Sequence, residues 1–395
     1  MPLTAIINAD VVLENKILRR ADVVVKDGKI HSVGVPIGND FPGGIIDGKG
    51  LTLSPGFIDI HCHGGGGHDF MDASAEAFIG ACELHARHGT TSILPTTLAG
   101  DEDELLDTFR AFHESKGKNP DGANMLGLHL EGPYFSREYR GAQDEKYITD
   151  PSPAQYRRIF DAADGCILRW SAAPELPGSR EFGRFLTQNG IVAAIAHSSA
   201  TYDDVLAAFD DGFRLVTHLY SGMSSITRVN GFRVPGVVES TYLIDDMYAE
   251  LIADGCHLPP ALLRLAYKCK GADRLALVTD AMRGAGMPEG ESVLGSMKRG
   301  QPVLIENGVA YTADRSAFAG SVCTADRLVR TMVHGAGIPL VDAVKMITLT
   351  PARILGIGRK KGRAEAGFDA DLVLFDDNIN VKMTMIGGWV ISTFK

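Results

Sequence analysis

Short apolar runs recur through the middle of this chain, and several close on a side chain that can ligate a metal or carry a proton. The runs 56–63, 125–131, 191–197, 215–218 and 275–280 end at His63, Glu131, His197, His218 and Asp280, and the first also carries His61. Further runs at 91–95, 167–171 and 249–253 bring the number to eight, and helix-like stretches such as 75–88 and 102–114 alternate with them. Strands that are apolar throughout, without alternation, are covered on both faces, so eight such units predict a parallel (β/α)8 barrel. In that architecture the side chains at the carboxyl ends of the strands converge on one pocket.

The flanks follow a different rule. From residue 1 to about 53, apolar and polar positions alternate around the turn signals Lys26-Asp27-Gly28-Lys29 and Asp47-Gly48-Lys49-Gly50. The last part leads from Gly367-Phe368-Asp369-Ala370-Asp371 into strand-like 372–375, 381–386 and 389–394. Two strand-rich ends pair most economically with each other, which predicts a small β-sandwich domain from residues 1–54 and 357–395 beside a barrel of 55–356. Between 287 and 313 the glycines at 290, 295 and 300 and the pair Asn307-Gly308 predict loops and a hairpin inserted after the eighth strand. Residues 324–334 and 340–347 are expected to be helical and to close the outer layer.

Composition narrows the partners. A chain of 395 residues with 45% hydrophobic content can bury a large core. The net charge of -10 comes without a long acidic block and without a basic stripe, which argues against nucleic acid and against an anionic membrane surface. An anionic substrate therefore has to be met by local positive groups. Six scattered cysteines without a CxxC pair suggest reduced thiols. With no apolar run of spanning length and no secretory pattern, the expected location is the cytoplasm.

The chemistry concentrates in a few motifs. In Asp59-Ile60-His61-Cys62-His63-Gly64 the two histidines are two residues apart, so on a strand they face the same side and can hold one ion through neutral imidazole nitrogens. A lone pair of this kind is often incidental, and its weight comes from the ligands that end the other strands. Glu131, followed by Gly132-Pro133, is costly to bury unless it is paired or metal-bound, the other reading being a carboxylate satisfied by a backbone amide or an arginine. Singly, His197 and His218 read as hydrogen-bonded core histidines; jointly they read as ligands. Asp280 can touch metal and accept a proton from water, and the competing role of helix cap fits poorly because Ala281-Met282-Arg283-Gly284 is a weak helix start.

Taken in order, these motifs resemble the N-acetylglucosamine-6-phosphate deacetylases of the amidohydrolase superfamily over nearly the whole chain. Supporting stretches include His129-Leu130-Glu131-Gly132-Pro133, Ala173-Pro174-Glu175, Ala196-His197-Ser198-Ser199, Asp254-Gly255-Cys256-His257, Thr279-Asp280-Ala281-Met282 and Phe318-Ala319-Gly320-Ser321. The resemblance implies that Glu131, His197 and His218 hold the ion used in catalysis. His61 and His63 would complete a second site, with Glu131 bridging and Asp280 nearby, for one or two divalent ions per subunit, zinc or iron. A water activated by the metal would attack the acetamide carbonyl, with Asp280 taking its proton and later giving it to the leaving amine, so that N-acetylglucosamine 6-phosphate yields glucosamine 6-phosphate and acetate.

His257 is expected to stabilise the carbonyl oxygen or fix the sugar, or else to hold the Asp254-Gly255 turn. Arg233, in Gly231-Phe232-Arg233-Val234-Pro235-Gly236, matches the family's phosphate-contacting arginine, donated across a homodimer. The chain departs from the family around the sugar. Relatives commonly carry Gly-Ala-His where this chain has Gly141-Ala142-Gln143, and Asn-Ala where it has Ser221-Gly222. Gln143, Ser221 and Gly222 are therefore expected to bear on the substrate and not on the reaction type. The alternatives are another N-acetylated amino sugar such as N-acetylgalactosamine 6-phosphate, a cyclic-amide hydrolase of the same superfamily, and a non-catalytic binding barrel. Cyclic-amide hydrolases often place a carboxylated lysine where Glu131 stands, and the intact ligand set argues against a non-catalytic barrel.

Overall fold

A computed structural model describes residues 3–393 of the chain. The eight apolar runs form the strands β1 Phe57–Cys62, β2 Thr90–Thr97, β3 Leu128–Glu131, β4 Ile167–Ala172, β5 Val192–Ile195, β6 Phe213–Val216, β7 Tyr248–Leu251 and β8 Leu275–Leu277. Each pairs in parallel with the next. β8 and β1 are joined by single contacts in place of a ladder: a bridge between Cys62 and Ala281, and the Asp280 N–H donated to the carbonyl of His61 at 2.9 Å. The result is a nearly closed barrel. Every residue of β1 and β2 is buried, which is why these strands read as unbroken apolar runs.

The main apolar cluster gathers Phe78, Phe112, Trp170, Phe182 and Phe213 from helices Ala75–Arg87, Glu102–Ser115 and Ser179–Gln188 and from β4 and β6. The helices start where the sequence supplies caps. Ser74 and Asp101 accept backbone N–H groups of the first turn, and Thr201 with Asp204 forms a capping box for Tyr202–Asp210. The segment expected to be helical at 324–334 is helix Ala325–Arg330 followed by a π turn over Thr331–Gly335.

The chain ends do pair with each other. Leu372–Phe375 runs antiparallel to Thr52–Pro55, and the sheet continues outward to Trp389–Thr393 on one side and Lys29–Val33 on the other. Residue 394, at the end of the expected last strand, lies outside the described residues. This sheet has its own apolar cluster, with Ile6, Val11, Val23, Leu53, Leu372 and Met385. Arg353, on the barrel's last helix Leu349–Ile354, reaches Glu14 at 2.8 Å, and Arg363 in the segment that follows reaches it at 3.1 Å.

The interval after β8 is more ordered than the loops and hairpin expected there. Gly290–Leu294, Gln301–Glu306, Val309–Thr312 and Phe318–Ser321 form a four-stranded antiparallel sheet. Asn307 and Gly308, both at positive φ, make the turn that the sequence announced. Its glycine-bounded strands are only half buried, so their apolar content is too low to register as runs. Ser321 fixes the insert to the end of β8, its N–H reaching the Asp280 carbonyl at 2.7 Å. A second small hairpin, Thr227–Val229 with Phe232–Val234, turns on Asn230-Gly231, both at positive φ, and was not singled out from the sequence. Among the described residues no helix is long and apolar enough to cross a membrane.

Trp170 measures how much the framework contributes: it is fully buried, stacks on Tyr134 and donates its indole N–H to the carbonyl of Gly132 at 2.8 Å, immediately after Glu131. Trp170→Ala should lower unfolding stability by about 3 to 5 kcal/mol. A urea midpoint within error of the parent protein would show that the β3–β4 corner does not rest on this ring.

Candidate metal centre

Glu131, at the carboxyl end of β3, stands among four imidazoles. Its Oε1 lies 3.0 Å from His218 Nε2, 3.4 Å from His197 Nε2 and 3.6 Å from His61 Nε2, while its Oε2 lies 3.5 Å from His63 Nε2. Asp280 Oδ1 is 3.1 Å from His63 Nε2 and 3.4 Å from His61 Nε2. All six residues are buried. Their ligand atoms fall into two groups, Glu131 with His197 and His218, and His61 with His63 and Asp280. The spacing of two along β1 places both of its histidines on the same side, as a strand requires.

The loops that present these groups are unusual. β5, β6 and β8 stop two or three residues short of His197, His218 and Asp280. The three residues have φ of 46°, 31° and 48°, the left-handed region that non-glycine residues seldom enter. Clustered backbone strain of this kind is typical of functional sites.

The electrostatics follow from the crowding. Burial pushes the Glu131 carboxyl up, but His61, His197 and His218 outweigh it and hold the group well below the ordinary glutamate value. The same contest leaves Asp280 below the ordinary aspartate value, with His61 and His63 as the main opposing groups. Burial lowers His63, and Asp280 and Glu131 more than offset that, raising it to about 9. The imidazole proton is one that a bound cation replaces.

These residues fit a divalent ion. Four imidazole nitrogens and two ionised carboxylates converge in a buried site, a donor set suited to zinc-like or iron-like ions. His197 donates Nδ1–H to the carbonyl of Tyr139 at 2.8 Å, leaving its Nε2 lone pair toward Glu131. His129, by contrast, is engaged at both nitrogens, with Ser171 at 2.7 Å and Thr96 at 3.2 Å, and burial with the nearby Arg169 keeps it well below the usual histidine value. A third potential group, Asp59, Cys62 and His85, is committed elsewhere: Thr279 donates to Asp59, and His85 Nε2 bonds the carbonyl of Gly64 at 2.9 Å.

A cavity of about 220 Å³ opens above the cluster, lined in part by His257, Gln143, Ser221, Gly222 and Phe318. Asp254 accepts from His257 at 2.8 Å through Nδ1 and again through its backbone N–H, so the ring is fixed with its Nε2 edge free. Gln143 is held at both ends, its Nε2 donating to Glu131 at 2.6 Å and its Oε1 accepting from the Ala99 N–H at 2.9 Å. Arg233 is not brought to the cavity of its own chain. It lies on the small hairpin, exposed, beside Ile226, Pro235 and Tyr242. Among the described residues no lysine or arginine lines the cavity.

Three groups close to the ligands were given no role from the sequence: Glu175, half-buried, entered only within the Ala173-Pro174-Glu175 stretch, and the buried Glu250 and Arg169 were not singled out. Glu175 accepts from Ser198 Oγ and from the N–H of Ser199 at 2.7 and 2.6 Å, and Glu250 and Arg169 pair inside the barrel. Glu250 and Arg169 each interrupt an apolar strand, the same signal that pointed to Glu131.

The model of the amidohydrolase family matches residues 52–391 of this chain. The chain is 36% identical over 370 residues to an N-acetylglucosamine-6-phosphate deacetylase of Lysinibacillus sphaericus, covering 93% of this chain and 92% of that protein. It is 32% identical over 368 residues to an N-acetylgalactosamine-6-phosphate deacetylase of Escherichia coli O157:H7, covering 93% and 94%. Among solved structures, an aspartate-to-alanine mutant of N-acetyl-D-glucosamine-6-phosphate deacetylase from Mycobacterium smegmatis, in complex with N-acetyl-D-glucosamine-6-phosphate, superposes with a TM-score of 0.90 at 30% identity and full coverage of both chains.

Removing the amide that grips Glu131 should be felt at the metal. Gln143→Leu is expected to reduce metal affinity or turnover by about 10- to 100-fold, the usual effect of losing a partner that orients a ligand. Metal retained on dialysis and turnover both at parental levels would make the Gln143–Glu131 bond incidental.

Proposed function

This chain belongs to the amidohydrolase family and, within it, to the N-acetylglucosamine-6-phosphate deacetylases, and from that premise we propose how its residues divide the work of converting N-acetylglucosamine 6-phosphate to glucosamine 6-phosphate and acetate. The observation that carries the reading is the convergence of four imidazoles on the buried Glu131 carboxylate beneath a small cavity. Glu131, His197 and His218 would hold one divalent ion, zinc or iron, and His61 and His63 with Asp280 a second. When bound, the ion supplies Lewis acidity to the attacking water and to the acetamide carbonyl.

Asp280, held ionised beside His61 and His63, takes the proton of the attacking water and returns it to the leaving amine. His257, oriented by Asp254, presents Nε2 to the cavity, where it binds the carbonyl oxygen when protonated and a sugar hydroxyl when neutral. Gln143, Ser221 and Gly222 shape the sugar's surroundings. In the same reading, residues 1–54 and 357–395 form the small β-domain and 55–356 the catalytic barrel.

The phosphate requires a cation that the cavity's own lining does not provide. Arg233 sits on an exposed hairpin with the exposed apolar residues Ile226, Val229 and Phe232 and near Leu243. A homodimer that seats this hairpin on its neighbour would cover the apolar side chains and deliver the guanidinium to a phosphate. N-acetylgalactosamine 6-phosphate stays as the second substrate, supported by the relative of that name at comparable identity.

Acetate release from N-acetylglucosamine and N-acetylgalactosamine, each with and without the 6-phosphate, tests the assignment, and release from none of them would refute it. Asp280→Asn should cut turnover by about 10²- to 10⁴-fold while the protein still retains metal, so near-parental turnover would remove Asp280 from proton transfer. Arg233→Ala should raise KM for the phosphorylated sugar and leave the unphosphorylated one unaffected; an equal effect on both would contradict phosphate recognition.

A further inference from the structure

We propose that Glu250, neutralised by Arg169, is a positioning residue that sets the tautomer of His61 and the backbone of His218, and so couples the two ligand groups through one carboxylate. The inference deepens the metal-dependent reading above and rests on it.

Glu250 lies on β7 with its side chain fully buried. Its two oxygens have different tasks. Oε1 accepts from the Arg169 guanidinium. Oε2 is 3.3 Å from His61 Nδ1 and accepts the backbone N–H of His218 at 3.2 Å. The carbonyl of Glu250 also accepts the N–H of Leu219 at 2.8 Å. Arg169 also donates from its two terminal nitrogens to the carbonyl of Ile60 at 3.0 Å and to Thr217 Oγ1 at 2.8 Å. One ion pair therefore touches the residues just before His61 and His218 as well as those two ligands themselves.

His61 has three carboxylates competing for its single ring proton. Asp280 and Glu131 lie 3.4 and 3.6 Å from Nε2, and Glu250 lies 3.3 Å from Nδ1. If the proton sat on Nε2, the nitrogen facing the site would be a donor and could not ligate. Glu250 draws the proton to Nδ1 and leaves the Nε2 lone pair toward the cluster, the way a carboxylate behind a ligating histidine fixes its tautomer. The same oxygen holds the N–H of His218, whose φ of 31° needs outside support.

The bland reading is an ion pair that only fills the barrel interior. It accounts for Arg169 and Oε1, but it leaves Oε2, which bonds no part of Arg169, without a purpose. It also predicts a different result. Glu250→Gln keeps the size of the side chain, and because Arg169 needs an acceptor the amide oxygen must turn to it, so the NH₂ faces His61 Nδ1 and the His218 N–H. That polarity forces the His61 proton onto Nε2.

The experiment is zinc affinity of the full chain, by competition with a chelating dye, together with thermal unfolding of the zinc-free protein. Glu250→Gln should weaken zinc binding by about 10- to 100-fold. Ser115→Ala, which removes a buried side-chain hydrogen bond within helix Glu102–Ser115 and touches no ligand, should leave zinc affinity unchanged whatever its effect on Tm. Equal zinc affinity in the parent and Glu250→Gln, or an equal loss in both variants, overturns the inference while leaving the proposed function standing. A parent protein that holds neither zinc nor iron overturns the proposed function itself. Should Glu250→Gln fail to fold, the ¹⁵N spectrum of histidine-labelled, zinc-loaded parent protein decides: a protonated Nδ1 on His61 is expected, and an unprotonated one refutes the proposal.

Discussion

A carboxylate buried without compensation is among the most costly groups a fold can contain, and the upper end of this barrel is organised around one. Glu131 is buried yet keeps its charge, and it does so because four imidazoles approach within 3.6 Å. Those imidazoles come from β1 and from the turns after β5 and β6, so the charge can be neutralised only when strands distant in sequence close into a barrel. Truncating Glu131 would leave four mutually close imidazoles and Asp280 without their centre. The fold and the ligand set are thus two descriptions of one constraint.

Outside this first ring lies a second, made of carboxylates that face away from the cavity. Asp59 accepts from Thr279 Oγ1 at 2.5 Å, Glu175 holds Ser198 and Ser199, and Glu250 holds the N–H of His218. Each bonds the residue itself or an immediate neighbour of Asp280, His197 or His218, the three ligands with left-handed backbone. Such conformations cost about 1 to 3 kcal/mol apiece and persist only where surrounding bonds over-determine them. The outer acidic groups supply those bonds, and since burial raises Asp59 among them to about 7, its support comes from hydrogen bonding and not from a fixed charge.

How much of this the sequence disclosed depends on whether the signal was local. Ligands that end an apolar run, or stand two apart on a strand, announce themselves within a few residues, and the eight runs with their terminal His, Glu and Asp sufficed for the barrel and the cluster. The pairing of the two chain ends was legible as well, because alternating strands at both termini had no nearer partner. Asp254 was legible as a turn but not as the group that orients His257. Glu250 and Arg169 each interrupt an apolar strand as Glu131 does, but they are 81 residues apart, and their pairing has no meaning until the barrel brings them together. The insert after β8 was under-read because its strands are half exposed and bounded by glycine, so nothing in their periodicity separates them from loops.

The cavity's two levels obey different rules, and this explains where such a site can change. The floor is assembled from strand ends whose backbones are fixed by barrel closure and by the outer carboxylates, so substitution there breaks several interactions at once. The rim comes from loops and from the insert: Gln143 lies beyond β3, Ser221 and Gly222 beyond β6, and Phe318 on the antiparallel sheet. A rim residue can change its donors without disturbing the strand that holds a ligand. Gln143 is the exception, since its amide ties the rim to Glu131, and a change at that one position is felt at both levels. Among the described residues the rim carries no lysine or arginine, so its polar groups are the imidazole of His257, the Gln143 amide and the Ser221 hydroxyl, while the charged groups of the site gather on the floor.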